Sequence, residues 1–120
     1  MPSSKIFIGW TTVDSAAAAR QLAAGLVAAH LAACVQVDGP VESHYLWQGR
    51  QERAEEWRLW VKFPARQAKA VEIWLAKHHP YSTPQWVAVE ARTVAKPYRD
   101  WVLSSAKTPP ANGRPRGHRA

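Results

Sequence analysis

Two long segments of alternating side chains, joined by a two-residue turn, constrain the fold more than any other feature of this chain. The first segment is Cys34–Trp47, and Gln48-Gly49 follows it as a tight turn. The second alternating segment covers residues 55–63. Alternation with a period of two is typical of β-strands, and a short glycine-containing connection joins such strands as an antiparallel hairpin. Gly39-Pro40 interrupts the first segment, and it predicts a bulge, because proline donates no ladder hydrogen bond. The chain must therefore build its sheet around a long hairpin.

The segments on either side of the hairpin supply the remaining elements. Residues 5–12 form an apolar, β-rich run, and an alanine-rich helix follows an N-cap at Asp14 or Ser15. A second helix is predicted over 64–77, with Ile73 in its apolar stripe and Pro80 ending it. A fourth strand is predicted over 86–94 and a last helix over 97–103. The order β-α-β-β-α-β with a C-terminal helix predicts an α+β, ferredoxin-like fold, in which two helices cover one face of a four-stranded antiparallel sheet.

Length and charge divide the chain into one domain and a tail. A chain of 120 residues with 47% hydrophobic residues has the size of one globular domain, which we assign to residues 1–106. Four of the seven net positive charges lie in residues 107–120, a stretch rich in proline, glycine and arginine. Such a composition buries too little apolar surface to offset the entropy of ordering, so we predict a disordered basic tail.

The hairpin presents large side chains on both of its faces. Trp60 lies among the polar set of the second strand, while Tyr45 and Trp47 share a face of the first. A chain with seven tryptophans can hardly bury all of them in one small domain, so we expect a second copy to cover the open side of the sheet.

Cysteine usage and the amino end predict a cytoplasmic protein with no membrane partner. The single cysteine, Cys34, cannot form an internal disulfide. The first ten residues contain neither a secretory signal pattern nor an apolar stretch of the ~20 residues that a membrane span needs.

Five short motifs, taken together and in order, resemble the CutA family of divalent-cation tolerance proteins. They are "TTV" after the first strand, "LAACV", "YLWQGR", "HPYSTPQ" and "YRDWV", and they extend from about Ile8 to Leu103. The resemblance implies a homotrimer whose sheets face inward and whose hairpin strands extend between subunits. It also implies a role in tolerance to copper and other divalent metals, without a defined mechanism.

The resemblance assigns expected roles to individual residues. It places the copper contacts of the family at Cys34 and His79. It places Tyr45, Trp47, Lys62 and Tyr81 near a cleft between subunits. The chain departs from the family pattern at Gln85, where a carboxylate is common, at Glu90, where a proline is usual, and at Phe63, where a threonine usually follows the lysine. These departures put the ligand preference of the site in question.

The residues themselves leave the metal hypothesis open. A thiolate suits Cu(I) and an imidazole suits Cu(II) or Zn(II), but spacings such as CxxC or HxxxH are absent around Cys34 and His79. The alternative is a buried cysteine and a histidine that stabilises a turn. A Cys-His catalytic pair would need an exposed, activated thiol, whereas Cys34 lies between Ala33 and Val35 in what the pattern predicts to be core. We therefore expect no enzymatic activity.

A second hypothesis is a small-molecule sensor similar to trimeric PII-type signal proteins. Aromatic walls with one cation are a common binding-site composition, and Lys62 with Tyr45, Trp47, Tyr81 and Trp86 would line an intersubunit cleft for a small anion or metabolite. The alternative is that these aromatic residues only pack the interface. No glycine-rich phosphate loop is present, so no organic cofactor is implied. The basic tail lacks interleaved aromatic residues, which argues against nucleic-acid binding.

Overall fold

The computed structural model describes residues 3–107, and its elements follow the predicted order. The strands are β1 (Ile6–Val13), β2 (Cys34–Trp47), β3 (Arg50–Pro64) and β4 (Val87–Glu90). The helices are α1 (Ala16–Ala28), α2 (Ala68–His78) and α3 (Lys96–Ser105), and a single 3₁₀ turn, Ala65–Gln67, precedes α2. The predicted tail, 107–120, lies outside the described residues except for Lys107.

All four strands form one antiparallel sheet in the order β2-β3-β1-β4, which confirms the predicted α+β class. The β2–β3 hairpin is paired along most of its length, and its register shifts between Asp38 and Val41, at the predicted Gly39-Pro40 interruption. Residues beyond this shift pair only within the hairpin, because β1 reaches no further than the Val13–Trp57 pair. The outer half of the hairpin therefore extends beyond the rest of the sheet.

Helices α1 and α2 cover one face of the sheet and form the hydrophobic core with it. The Ser15 side chain caps α1 by accepting a hydrogen bond from the Ala18 N–H, at 3.0 Å. The core combines alternate residues of the central strands with the inner faces of both helices; its largest members are Val13, Leu22, Leu26, Leu59, Val61, Phe63, Val71 and Leu75. The strand residues between these core positions necessarily point to the other face.

This second face, here called the open face, carries Ile8, Trp10, Trp60, Val87 and Val89, which the register brings side by side. The Trp10 and Trp60 rings meet edge to face with centroids 5.5 Å apart. Val87 and Val89 are 55% and 47% exposed, although they lie in the middle of a β-rich apolar run. A single subunit thus leaves a large apolar area in contact with water, which is unusual for a stable monomer.

Helix α3 contacts β1 and β3 at the end of the sheet that holds Ile6. Arg66 fixes the end of this helix, since its Nη2 donates hydrogen bonds to the carbonyl oxygens of Leu103 and Ala106, at 2.6 and 2.9 Å. Val102 is fully buried, so α3 packs closely even though Tyr98 and Trp101 remain partly exposed.

Three sequence predictions are wrong in detail. Pro64 was predicted to begin a helix, but it ends β3, where it is paired with Ile6. Ile73 was predicted in the apolar stripe of α2, but it is 58% exposed, because it lies two residues from Val71 and Leu75 and so on another side of the helix. The fourth strand covers only 87–90, because β4 pairs solely with residues 7–10 of β1.

None of the helices within residues 3–107 is both long and apolar enough to cross a bilayer.

Candidate functional site

The segment after α2 is held to the sheet through the ring of His79. Nε2 of His79 lies 3.0 Å from the carbonyl oxygen of Thr12 and 3.0 Å from Oγ1 of Thr11, both in β1. Nδ1 accepts a hydrogen bond from the backbone N–H of Tyr81, at 3.1 Å. Because a carbonyl oxygen can only accept, Nε2 carries the proton, and the ring is neutral with both nitrogens occupied. His79 is therefore a buried connection between the turn and β1.

Burial lowers the pKa of His79 below its ordinary value of 6.5, although the Thr12 carbonyl and the charges of Glu56 and Asp14 act in the opposite direction. Desolvation penalises the charged imidazolium. A second proton would also need Nδ1, which already accepts from Tyr81. The folded protein thus favours the neutral form of this histidine.

Tyr81, two residues further on, reaches the hairpin. Its hydroxyl donates a hydrogen bond to Oε2 of Glu56, at 2.7 Å, and Glu56 is only 8% exposed. Burial raises the pKa of Tyr81, and the hydrogen bond to Glu56 raises it further. The phenol therefore remains a donor, and it ties the turn to β3 just as His79 ties it to β1.

Tyr81 and Glu56 both line a cleft of about 720 Å³. The outer half of the hairpin and the end of β1 also contribute lining residues. Polar and aromatic side chains line the cleft: Thr12, Asp14, Ser43, His44, Tyr45, Trp47, Glu56, Tyr81, Ser82, Thr83 and Gln85, together with Ala54. A cleft of this size accommodates a small organic molecule.

This cleft within one subunit contains three of the five residues that were predicted to line an intersubunit cleft, namely Tyr45, Trp47 and Tyr81. Lys62 and Trp86 are elsewhere in the subunit. Nζ of Lys62 donates to Oε1 of Gln36 at 2.6 Å, beside the open face. The Trp86 indole packs toward the core, 5.9 Å from the Phe63 ring, where it fills the space that a Cβ on Gly9 would need.

Cys34 lies at the start of β2, directly opposite Lys62 in β3. The prediction that it belongs to the core is wrong, because alternation from the inward-facing Val35 directs Cys34 to the other face, where it is half-buried. Burial raises the pKa of Tyr98 in α3, and the neighbouring Cys34 raises it further. The thiol is thus partly accessible beside α3.

Cys34 and His79 do not form a joint site within one subunit. Cys34 pairs with Lys62 of β3. His79 is bonded to Thr12, which pairs with Arg58 of β3. The four-residue offset along β3 corresponds to about 13 Å. Within residues 3–107, no group of three or more His, Cys, Asp and Glu side chains is arranged to hold a metal ion. A dedicated metal centre built from one subunit therefore does not fit the described residues.

Sequence reasoning did not identify Asp14 or Glu56 as site residues. Glu56 occupies an ordinary alternating position in β3, and its importance arises only because Tyr81 returns to it from 25 residues away. Asp14 was considered only as a helix cap. A signal was present in the Pro80 and Pro84 pair, since two prolines so close together fix the path of the chain between α2 and β4.

Comparison with known proteins gives consistent results. The family model described as "CutA1 divalent ion tolerance protein" matches residues 7–105. A divalent-cation tolerance protein CutA from Yersinia pestis is 33% identical over 94 residues, which cover 78% of this chain and 79% of that protein. The structure of CutA from Synechococcus elongatus superimposes with a TM-score of 0.82 at 34% identity, covering 89% of this chain and 95% of that one.

A second structure of the Synechococcus elongatus CutA is a complex with a Bis-Tris molecule. It is similar to this chain with a TM-score of 0.78 and 33% identity, and it covers 88% of this chain and 97% of that one.

We predict that acidification destabilises the fold through His79. The unfolded histidine takes up a proton near pH 6.5, whereas the folded one, with its lowered pKa, resists protonation. Stability is therefore full above pH 6.5 and declines as the pH falls from there toward the folded pKa. In His79→Asn we expect a loss of about 1–3 kcal/mol at neutral pH and a flatter pH profile below 6.5, measured by urea denaturation.

The matched control is His78→Asn, which changes the exposed neighbouring histidine and should keep the wild-type pH profile. An unchanged profile in His79→Asn would contradict the assignment.

Proposed function

Because this chain belongs to the CutA1 divalent ion tolerance family, we propose that it serves tolerance to divalent metal ions, copper in particular, as a homotrimer that binds the metal weakly. The observation that carries the proposal is the family match over residues 7–105, which covers all but a few of the described residues. The match includes Cys34, the hairpin, the turn after α2 and helix α3.

The open face supports the homotrimer. Trp10, Trp60, Val87 and Val89 form an apolar area that one subunit leaves uncovered. Asp38 borders it, since its carboxylate binds Arg58 at 2.7 Å and accepts from the Trp60 indole at 3.3 Å. Association of such faces removes apolar surface from water, at about 25 cal/mol per Å². Equivalent polar residues at the border would then fix the relative orientation of the copies.

Weak copper binding is supported by the chemistry of Cys34. Its thiol is partly accessible beside the open face, and a thiolate is a preferred ligand of Cu(I). Within residues 3–107, Cys34 belongs to no group of three or more His, Cys, Asp and Glu side chains that could hold a metal ion. The affinity for copper therefore depends on few bonds or on equivalent thiols of other subunits. We further propose a cytoplasmic location, where a lone thiol stays reduced. His79 would bind copper only by giving up a hydrogen bond at one of its ring nitrogens.

We predict that light scattering gives the mass of a trimer, and that Val89→Lys lowers it toward that of the monomer. The charge would have to be buried in the interface without a partner, which is strongly unfavourable. Ile73→Lys is the matched control: it adds the same charge at a similarly exposed position on α2, and the trimer should persist. A wild-type mass of one subunit at micromolar concentration would contradict this assembly.

We predict that Cys34→Ser weakens Cu(I) binding by about tenfold or more, because the soft ligand is lost. His79→Asn should bind Cu(I) as the wild type does, since both nitrogens of His79 are already bonded. Competition with a chromogenic Cu(I) chelator, without oxygen and with untagged protein, measures both affinities. Unchanged affinity in Cys34→Ser would remove this residue from the site, and a loss in His79→Asn would restore the histidine to it.

A second function is favoured by the cleft of about 720 Å³: a small-molecule sensor similar to trimeric PII-type proteins. Tyr45, Trp47 and Tyr81 supply aromatic walls, and the outer half of the hairpin provides an element whose position a ligand could change. The complex of the Synechococcus elongatus CutA with Bis-Tris is a further reason to propose a small-molecule site in this chain.

We predict that a thermal-shift screen of metabolites finds compounds that stabilise the wild type and not Trp47→Ala, because the variant loses one wall of the cleft. Leu46→Ala is the matched control, since Leu46 is 74% exposed and lies beside Trp47 without lining this cleft. A screen with no compound that depends on Trp47 would argue against the sensor function and leave the metal function unaffected.

A further inference from the structure

We infer that the cleft selects small organic cations, in particular protonated amines that also carry hydroxyl groups, over neutral molecules and anions of the same size. This inference deepens the sensor function proposed above and rests on it. The sequence-based hypothesis was a small anion or metabolite in an intersubunit cleft lined by Lys62, whereas Lys62 does not line the cleft within one subunit. Three features of the cleft support the cation preference: the charges of its lining residues, the position of the Glu56 carboxylate and its aromatic walls.

Among residues 3–107, those that line the cleft include two carboxylates, Asp14 and Glu56, and neither lysine nor arginine. Its one basic side chain is His44, whose Nε2 lies 2.5 Å from Oε2 of Glu42. The Glu42 carboxylate offsets any positive charge on that ring. The cleft of a chain with a net charge of +7 is thus locally acidic.

The Glu56 carboxylate is placed to meet a ligand. Oε2 accepts the hydrogen bond from Tyr81, whereas Oε1 has no hydrogen-bond partner among the described residues. No fully buried side-chain oxygen or nitrogen of the described residues lacks a partner, so Oε1 keeps access to the cleft that Glu56 lines. A carboxylate oxygen in such a confined place, with little water around it, gains from a cationic donor.

Two basic side chains further along β3 are bonded outside the cleft. Arg58 forms two hydrogen bonds with Asp38, at 3.1 and 2.7 Å, and its guanidinium lies 5.3 Å from the centroid of the Trp60 ring. Lys62 donates to Gln36. Because neither lysine nor arginine is among the described lining residues, an anion in the cleft would meet two carboxylates without a lining cation to compensate them, which is unfavourable.

The remaining lining residues fit an amine that carries hydroxyl groups. The rings of Tyr45, Trp47 and Tyr81 offer π faces, which attract ammonium groups. The other polar groups are short hydroxyls and one amide, which both donate and accept hydrogen bonds: Thr12, Ser43, Ser82, Thr83 and Gln85.

Two compounds of nearly identical shape test the inference. Tris, protonated at pH 7, carries an ammonium group where pentaerythritol carries a fourth hydroxymethyl group, and β-glycerophosphate serves as the anion. Titrations are followed through the indole N–H signals of the tryptophans in ¹H–¹⁵N spectra, with the Trp47 signal assigned from Trp47→Phe. We expect a saturable shift of the Trp47 signal with Tris, and no saturable shift with the other two compounds.

Glu56→Gln tests the charge alone, because a glutamine oxygen can still accept the Tyr81 hydroxyl. We expect it to weaken Tris binding by at least about tenfold. Glu55→Gln is the matched control: it removes the same charge from the adjacent, exposed residue, which does not line the cleft, and it should bind Tris as the wild type does. Circular dichroism and thermal unfolding establish that both variants are folded.

Three results would overturn the inference: no saturable shift with Tris, equal binding of pentaerythritol or β-glycerophosphate, or unchanged Tris affinity in Glu56→Gln. Its failure can be distinguished from failure of the sensor function. A neutral or anionic compound that binds the wild type but not Trp47→Ala would overturn the cation preference and keep the sensor function.

Discussion

The neutral ring of His79, with one nitrogen donating and the other accepting, is the constraint on which the site depends. Its bonds to Thr11 and Thr12 fix the turn after α2 against the end of β1, and its bond to the Tyr81 N–H sets the direction in which the chain leaves that turn. From that position the Tyr81 hydroxyl reaches Glu56. These two side chains thus connect the turn after α2 with β1 and β3, beside the cleft. A residue that resembles a metal ligand in sequence is thus structural in a single subunit.

The fold was largely predictable from local pattern, because alternation, helical spacing and proline positions report backbone structure directly. The hairpin, its interruption at Gly39-Pro40 and the order of the elements all follow from such signals. Errors arose where tertiary pairing decides the outcome. Pro64 begins no helix because Ile6 holds it in the sheet, and the fourth strand is short because β1 provides few partners. Neither cause is visible in a local window of sequence.

The site was less predictable, because residue type indicates possible chemistry but not location. Tyr45, Trp47 and Tyr81 do meet in one cleft, whereas Lys62 and Trp86 do not reach it. The two acidic residues were missed, since overall composition is basic and hides a local concentration of negative charge. The net charge of the chain therefore does not describe the local charge of the cleft, since four of the seven net positive charges come from one terminal stretch.

The register shift in β2 has a consequence for how copies of this chain avoid the wrong partners. Strand β2 is the outer strand of the sheet, and an outer strand of 14 residues offers a long row of free backbone groups to any other exposed strand. The shift between Asp38 and Val41 divides that row into two shorter runs with different directions. An aggregating neighbour could extend along only one run at a time. Such an irregularity is one of the devices by which sheet proteins limit edge-to-edge pairing of exposed strands.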